Sequence, residues 1–194
     1  MSRIIAGSRR GQRIAMPASD KTRPTTDRVR EALFSAIASW AGSAGEPPET
    51  SLAGLAFCDL YAGSGAVGLE AASRGAGPVL LVEVDRRTCL TTTQNVSALG
   101  LSARVVTMKV EQLVRQPAER PFDVVFADPP YDLTPAALAA VLANVVDSGW
   151  VAPDGLIVVV RSRRSEDVGW PAGFTGGWSR RYGESVLWFG RAEP

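Results

Sequence analysis

The chain has 194 residues, 45% hydrophobic and 21% charged, an ordinary globular composition long enough for one α/β domain with a small appendage. It has no histidine and two cysteines, which excludes Ser-His-Asp and Cys-His chemistry and argues against zinc. Net charge is only +1, yet the first thirty residues carry Arg3, Arg9, Arg10, Arg13, Lys21, Arg23, Arg28 and Arg30 against Asp20 and Asp27.

Arg3–Ala6 and Arg13–Met16 flank a Gly-bounded turn and read as a β-hairpin. Pro24 forces extension before it, and Thr25 or Thr26 can N-cap a helix from Asp27, where Val29, Ala32, Leu33, Ala36, Ile37 and Trp40 share one face. Residues 41–53 form a loop, so the expected division is an extension over 1–50 and a core over 51–194. A basic arm on a mildly acidic body reads as a partner-binding appendage on a catalytic domain or as a solvated edge.

Beyond the loop, strands and helices alternate. Leu55–Tyr61 is predicted as strand, Val67–Arg74 as helix, Val79–Val84 as strand and Arg86–Leu99 as helix ending at Gly100. Val105 and Val106 mark a short strand, Phe122–Ala127 a longer one, Pro135–Val146 a helix and Leu156–Val160 a strand. Trp178–Tyr182 and Ser185–Phe189 form a hairpin across Gly183. Continuously apolar strands alternating with helices predict a parallel sheet covered on both faces, with ligands bound outside the strands' carboxyl ends. Cys58 and Cys89 are expected as buried thiols. No run approaches the ~20 apolar residues of a membrane helix, and the expected location is the cytoplasm.

Two motifs fall at strand ends. Gly63, Gly65 and Gly68 spell G-x-G-x-x-G, and Glu83 lies twenty residues beyond Gly63. Such glycines let the backbone approach a ligand, and the acid can hold both ribose hydroxyls. The pattern signals an adenosine site without separating a dinucleotide from S-adenosylmethionine. Asp59 favours the latter, because a carboxylate repels a pyrophosphate and attracts a sulfonium or ammonium group. Tyr61 either flanks the sulfonium through a cation–π contact or simply packs.

The second motif is Asp128-Pro129-Pro130-Tyr131, following Phe122–Ala127. Its two prolines make a rigid extended elbow. An exocyclic amine is a poor nucleophile because its lone pair is delocalised into the base. Acceptors aimed at its N–H groups, here the Asp128 carboxylate and the Pro129 carbonyl, stabilise the charge that develops during attack. Tyr131 can stack on an extruded base. No metal is required.

With both motifs placed, the chain resembles the bacterial small-subunit ribosomal RNA guanine-N2 methyltransferases of the RsmD type. The likeness is carried by Arg3–Gly7, the block Arg23–Phe34, the segment Gly63–Ala76, Asp128–Tyr131, and the tail Arg181–Ser185. It implies a Rossmann-like seven-stranded α/β methyltransferase core with an N-terminal hairpin-and-helix extension, and S-adenosylmethionine as donor. The implied substrate is 16S ribosomal RNA in the small ribosomal subunit or its assembly intermediate, met by a monomer.

On that likeness Asp59, Tyr61, Gly63, Gly65, Glu83, Val110 and Asp128 are cofactor contacts, and Asp128, Pro129, Pro130 and Tyr131 form the catalytic loop. Apart from the likeness, Arg9, Arg10 and Arg13 read as RNA-phosphate contacts or as exposed charge, and Arg23, beside the rigid Pro24, as an RNA contact that can reach the active site. One position departs from the pattern: Lys109 stands where relatives carry an acid for the adenine amine, leaving Glu111 or a backbone group to substitute. Arg161, Arg163, Arg164, Arg180 and Arg181 are expected mainly as solvated charge. Three other functions compete. An adenine-N6 DNA methyltransferase shares the Asp-Pro-Pro-Tyr loop, a dinucleotide oxidoreductase leaves that loop unexplained, and a non-catalytic RNA-binding module explains the arm alone.

Overall fold

A computed structural model of the chain describes residues 2–17 and 26–194, apart from the side chains of residues 175 and 176. The N-terminal pair β1 (Ser2–Arg3) and β2 (Arg13–Ile14) is antiparallel. Then follow α1 (Asp27–Trp40), β3 (Phe57–Leu60), α2 (Ala66–Ser73), β4 (Val79–Glu83), α3 (Arg86–Leu99), β5 (Arg104–Thr107), α4 (Val110–Leu113), β6 (Phe122–Ala127), α5 (Pro135–Asp147), β7 (Val151–Ser162), β8 (Phe174–Tyr182) and β9 (Ser185–Ala192). Strands β3 to β9 make a seven-stranded sheet in the order β5-β4-β3-β6-β7-β9-β8. Its first five strands are parallel, and β9 pairs antiparallel with both β7 and β8. This is the Rossmann-like α/β architecture expected from the sequence.

Successive residues of a strand face opposite sides of the sheet, so two apolar layers form. Phe57, Leu81, Val124, Val158 and Leu187 face α1, α2 and the hairpin, through Leu33, Ile37, Leu69, Ile4 and Ile14. Cys58, Leu60, Val82, Val125 and Ile157 face α4 and α5, through Leu113, Leu138, Val141 and Leu142. Helix starts follow their capping residues: the hydroxyls of Thr26 and Thr134 accept from Val29 N and Ala137 N, and the Asp85 carboxylate accepts from Thr88 N. Among the described residues no helix is long and apolar enough to cross a membrane.

The hairpin is shorter than its alternation suggests, pairing only at Ser2↔Ile14 and Arg3↔Arg13. Beyond Ile4 the chain turns its N–H groups to α2 instead of β2. Buried Glu70 accepts from Ile5 N at 2.7 Å and Ala6 N at 2.9 Å, and pairs with Arg74 at 2.9 Å. At Gly7, with φ +82°, a Cβ would lie 2.0 Å from the Ser73 carbonyl oxygen, so only glycine fits. Residues 2–17 and α1 thus share one apolar layer with the sheet. The single-turn α4 was not expected; four residues are too short to show helical periodicity.

Replacing Glu70 with Ala strands two backbone N–H groups and the Arg74 guanidinium. Urea unfolding should show a loss of about 3 kcal/mol. A loss below about 1 kcal/mol would contradict the view that this carboxylate fastens the extension.

Candidate functional site

The chain builds β3, β4 and β5 outward in one direction, then returns to place β6 on the other side of β3. Leu60 is in register with Val82 on one side and Ala127 on the other. The segments after β3, β4 and β6 therefore leave the sheet at one level, where a reversal of strand order opens a crevice. Asp59 and Glu83 close their strands there, and Asp128 follows Ala127 directly.

The glycine segment is held by carboxylates. Asp59 Oδ2 accepts from Gly68 N at 2.8 Å, and Glu83 Oε2 accepts from Gly63 N at 3.0 Å. The other Glu83 oxygen accepts from Val84 N and Asp85 N, each at 2.8 Å. At Gly63, with φ +53°, a Cβ would meet nothing within 4 Å, so bare backbone faces open space. At Gly68 a Cβ would lie 2.2 Å from Leu81 Cδ2, so that glycine serves helix–strand packing. From α3, the Thr92 hydroxyl lies 2.6 Å from the Gly63 carbonyl oxygen, and Asn95 Nδ2 donates to Ser64 O at 3.0 Å and Ala15 O at 2.9 Å.

Burial pushes the Asp59 carboxyl up to about 8, against the lowering effect of the Gly68 hydrogen bond, with Asp128 and Glu83 raising it further. A buried carboxyl kept protonated beside other carboxylates gains from a cation that lets it ionise, so the crevice favours a cationic guest. Together with the open backbone at Gly63, this donor set fits the sulfonium and ammonium groups of S-adenosylmethionine.

Tyr61 follows β3 with φ +64°, a left-handed conformation costly for a side chain of its size. Its hydroxyl donates to Glu111 at 2.8 Å, and burial and that contact raise its pKa. Glu111 is therefore already engaged, while Lys109 is exposed and Val110 is buried.

At the reacting end Pro129 is buried, Asp128 is half-buried and Tyr131 is 69% exposed. Leu133 N donates to Pro130 O at 3.0 Å, closing a turn, and buried Arg161 donates to Leu133 O at 3.1 Å. A cavity of about 320 Å³ opens beside this loop. Asp128, Tyr131 and Val160 line it together with Thr26, Arg28 and Val29 of the α1 start and Arg181–Ser185 at the β8–β9 tip.

The fold thus brings Asp59, Tyr61, Gly63, Gly65, Glu83 and Asp128–Tyr131 to one end of the sheet. It does not bring Arg9 or Arg10 there. Arg9 donates to Leu99 O and Gly100 O at the far end of α3, a 14-residue helix about 21 Å long. Arg10 and Arg13 are exposed on the hairpin, and Arg23 lies outside the described residues. Sequence reasoning missed Thr92, Asn95, Arg28 and the structural use of Arg161, and took Arg181 for solvated charge. Proximity of the Arg181–Ser185 block to Asp128–Tyr131 is visible only once β9 lies beside β7.

Comparison with known proteins follows the same lines. The family model described as conserved hypothetical protein 95 matches residues 2–191. The ribosomal RNA small subunit methyltransferase D of Escherichia coli is 37% identical over 158 residues, covering 81% of this chain and 73% of that protein. The solved structure of the Escherichia coli yhhF protein superposes with TM-score 0.82 at 32% identity, covering 99% of this chain and 98% of that one. A Thermus thermophilus 16S rRNA N2 methyltransferase, RsmC, solved with AdoMet and guanosine, shares the fold with TM-score 0.65 at 22% identity, covering 91% of this chain and 45% of that one.

Asp59 gives a signature in the empty protein. Its ordinary pKa of 3.8 rises to about 8 on folding, so the folded state keeps a proton that the unfolded chain has lost. Its contribution to stability is complete below pH 3.8 and is lost as pH rises through about 8. Relative to Asp59→Asn, the wild type should lose unfolding free energy steadily from pH 5 to about 8. A pH-independent difference between the two would refute the buried, protonated carboxyl.

Proposed function

The chain belongs to the family described as conserved hypothetical protein 95, that of the RsmD-type ribosomal RNA small subunit methyltransferases, and on that premise we propose that it methylates the exocyclic N2 amine of a guanine in 16S ribosomal RNA. The observation that carries this reading is the side-by-side exit of the glycine segment and Asp128–Tyr131 from neighbouring strands, with a cavity at the second. The pairing of AdoMet with guanosine in a protein of the same fold supports it.

When bound, S-adenosylmethionine supplies an electrophilic methyl on a sulfonium. The chain's own groups do the rest. Gly63 would give the adenosine a bare backbone, while Gly65, where a Cβ would lie 2.8 Å from Thr92 Cγ2, keeps the turn packed against α3. Glu83 would hold the ribose and Val110 would border the adenine. Asp59 meets the cationic end, with Tyr61 beside it. The Asp128 carboxylate and the Pro129 carbonyl accept from the target amine, hold its lone pair towards the methyl and stabilise the charge arising on nitrogen. Asp128 then takes or relays the proton that the amine loses. Pro130 stiffens the loop, and Tyr131 stacks on the base.

Residues 1–50 serve as the RNA-gripping extension and 51–194 as the catalytic unit. Arg10, Arg13 and Arg23 offer cations to phosphates, as does the part of Arg9 left over from its helix cap. Arg9, held at the far end of α3, would touch a distal part of a large RNA, which suits a ribosomal particle. Arg13 instead pairs across the hairpin with Arg3, which reaches Asp27 beside the cavity wall, and would meet RNA nearer the site. The protein acts as a cytoplasmic monomer.

Labelled methyl should move to N2 of guanine in unmodified small ribosomal subunits, with kcat lowered on the order of a hundredfold to a thousandfold by Asp128→Ala. Label on DNA adenine instead would favour an adenine-N6 enzyme, and transfer unaffected by the substitution would remove the loop from the chemistry. Because Glu111 is held by Tyr61 and Lys109 offers the adenine amine no acceptor, Lys109→Asp should tighten S-adenosylmethionine binding about fivefold by calorimetry. Equal affinities would show that adenine is recognised elsewhere.

A further inference from the structure

The cavity beside Asp128 has two walls that are remote in sequence, the first turn of α1 and the β8–β9 tip. Each wall carries one arginine, Arg28 on the first and Arg181 on the second, and both side chains are exposed. Among the described residues Arg28 and Arg181 form no ion pair, a trait shared with several other arginines, but of the described arginines only these two line this cavity. Two guanidinium groups with no ion pair among the described residues thus flank a mouth lined by the Asp128 carboxylate. Cations on both rims make the local field favourable to a polyanion at a mouth that also holds a carboxylate.

We propose that Arg28 and Arg181 clamp the phosphates on the two sides of the target nucleotide, so that its base enters the cavity between them. The inference rests on the reading that the substrate is an RNA strand, and it names the contacts by which that strand is held at the site. The guanidinium fork matches phosphate oxygens, and exposed rim positions suit backbone contacts that set register without reading sequence. Both residues act by positioning. They assign the local grip to the α1 start and the C-terminal hairpin, leaving Arg9 at the far end of α3 to more distant RNA.

The test is equilibrium binding of a fluorescent mixed-sequence single-stranded RNA of about twenty nucleotides across a salt series, with methyl transfer to small subunits measured in parallel. Each of Arg28→Gln and Arg181→Gln should lower the slope of log affinity against log salt by about 0.7 and weaken binding about threefold at low salt. Arg181→Lys should keep the slope, and Arg120→Gln, exposed just before β6 at the opposite sheet end, should change nothing. In the transfer assay the glutamine variants should raise KM and leave kcat near that of the wild type.

Unchanged slopes overturn the clamp, as does a wild type that binds the RNA without salt dependence. A loss confined to guanine-containing RNAs also overturns it, because it would make these arginines base readers. If slopes fall as expected while the wild type labels no RNA, the clamp stands and the methyl-transfer reading fails. Intact labelling with unchanged slopes overturns the clamp and leaves methyl transfer standing.

Discussion

Everything at the site depends on β3 pairing in parallel with β4 on one side and β6 on the other. Parallel register sets the heights of three strand ends at once, so Asp59, Glu83 and Asp128 meet without any of them being near another in sequence. A one-residue slip of β6 would turn Val125 and Phe126 to the wrong apolar layers, and both layers are built of buried apolar side chains. The packing that stabilises the sheet is therefore also what aligns the glycine segment with the Asp-Pro-Pro-Tyr loop. Precision in the site is inherited from the core.

The N-terminal extension takes part in the same arrangement. Glu70 fastens Ile5 and Ala6 to α2, while Asn95 bonds both Ala15 and the Ser64 carbonyl. The extension and the glycine segment thus share a buried side chain. Arg30 ties β1 to α1 by donating to Ser2 Oγ and Arg3 O, and α1 begins at the wall of the reacting cavity. A segment that reads in sequence as a detachable basic arm is packed as a strut between both halves of the site.

Much of this is legible in the sequence, and for identifiable reasons. Helix α3 and strand β6 match their expected bounds because capping residues and apolar runs mark them, Asp85 and Gly100 for the helix and Phe122 to Ala127 for the strand. The glycine segment and Asp128–Tyr131 are visible because ligand contact and a fixed elbow demand particular residue types in a row. What escapes is whatever long-range packing decides. Arg161 looks like any exposed cation until β7 places it under Leu133, and Glu70 looks like a solvated helix residue until the N-terminal chain turns onto it. The second wall of the cavity comes from the last hairpin, about fifty residues beyond Asp128, and no local pattern links the two.

A crystal structure with S-adenosylhomocysteine tests most directly whether one crevice between β3 and β6 holds the methyl donor and presents it to the target base. The ribose should lie at Glu83, the adenosine over Gly63 and Gly65, and the sulfur should face Asp128 and the Pro129 carbonyl across the cavity mouth. A ligand seated away from that crevice, or with its sulfur turned from Asp128, would contradict this arrangement.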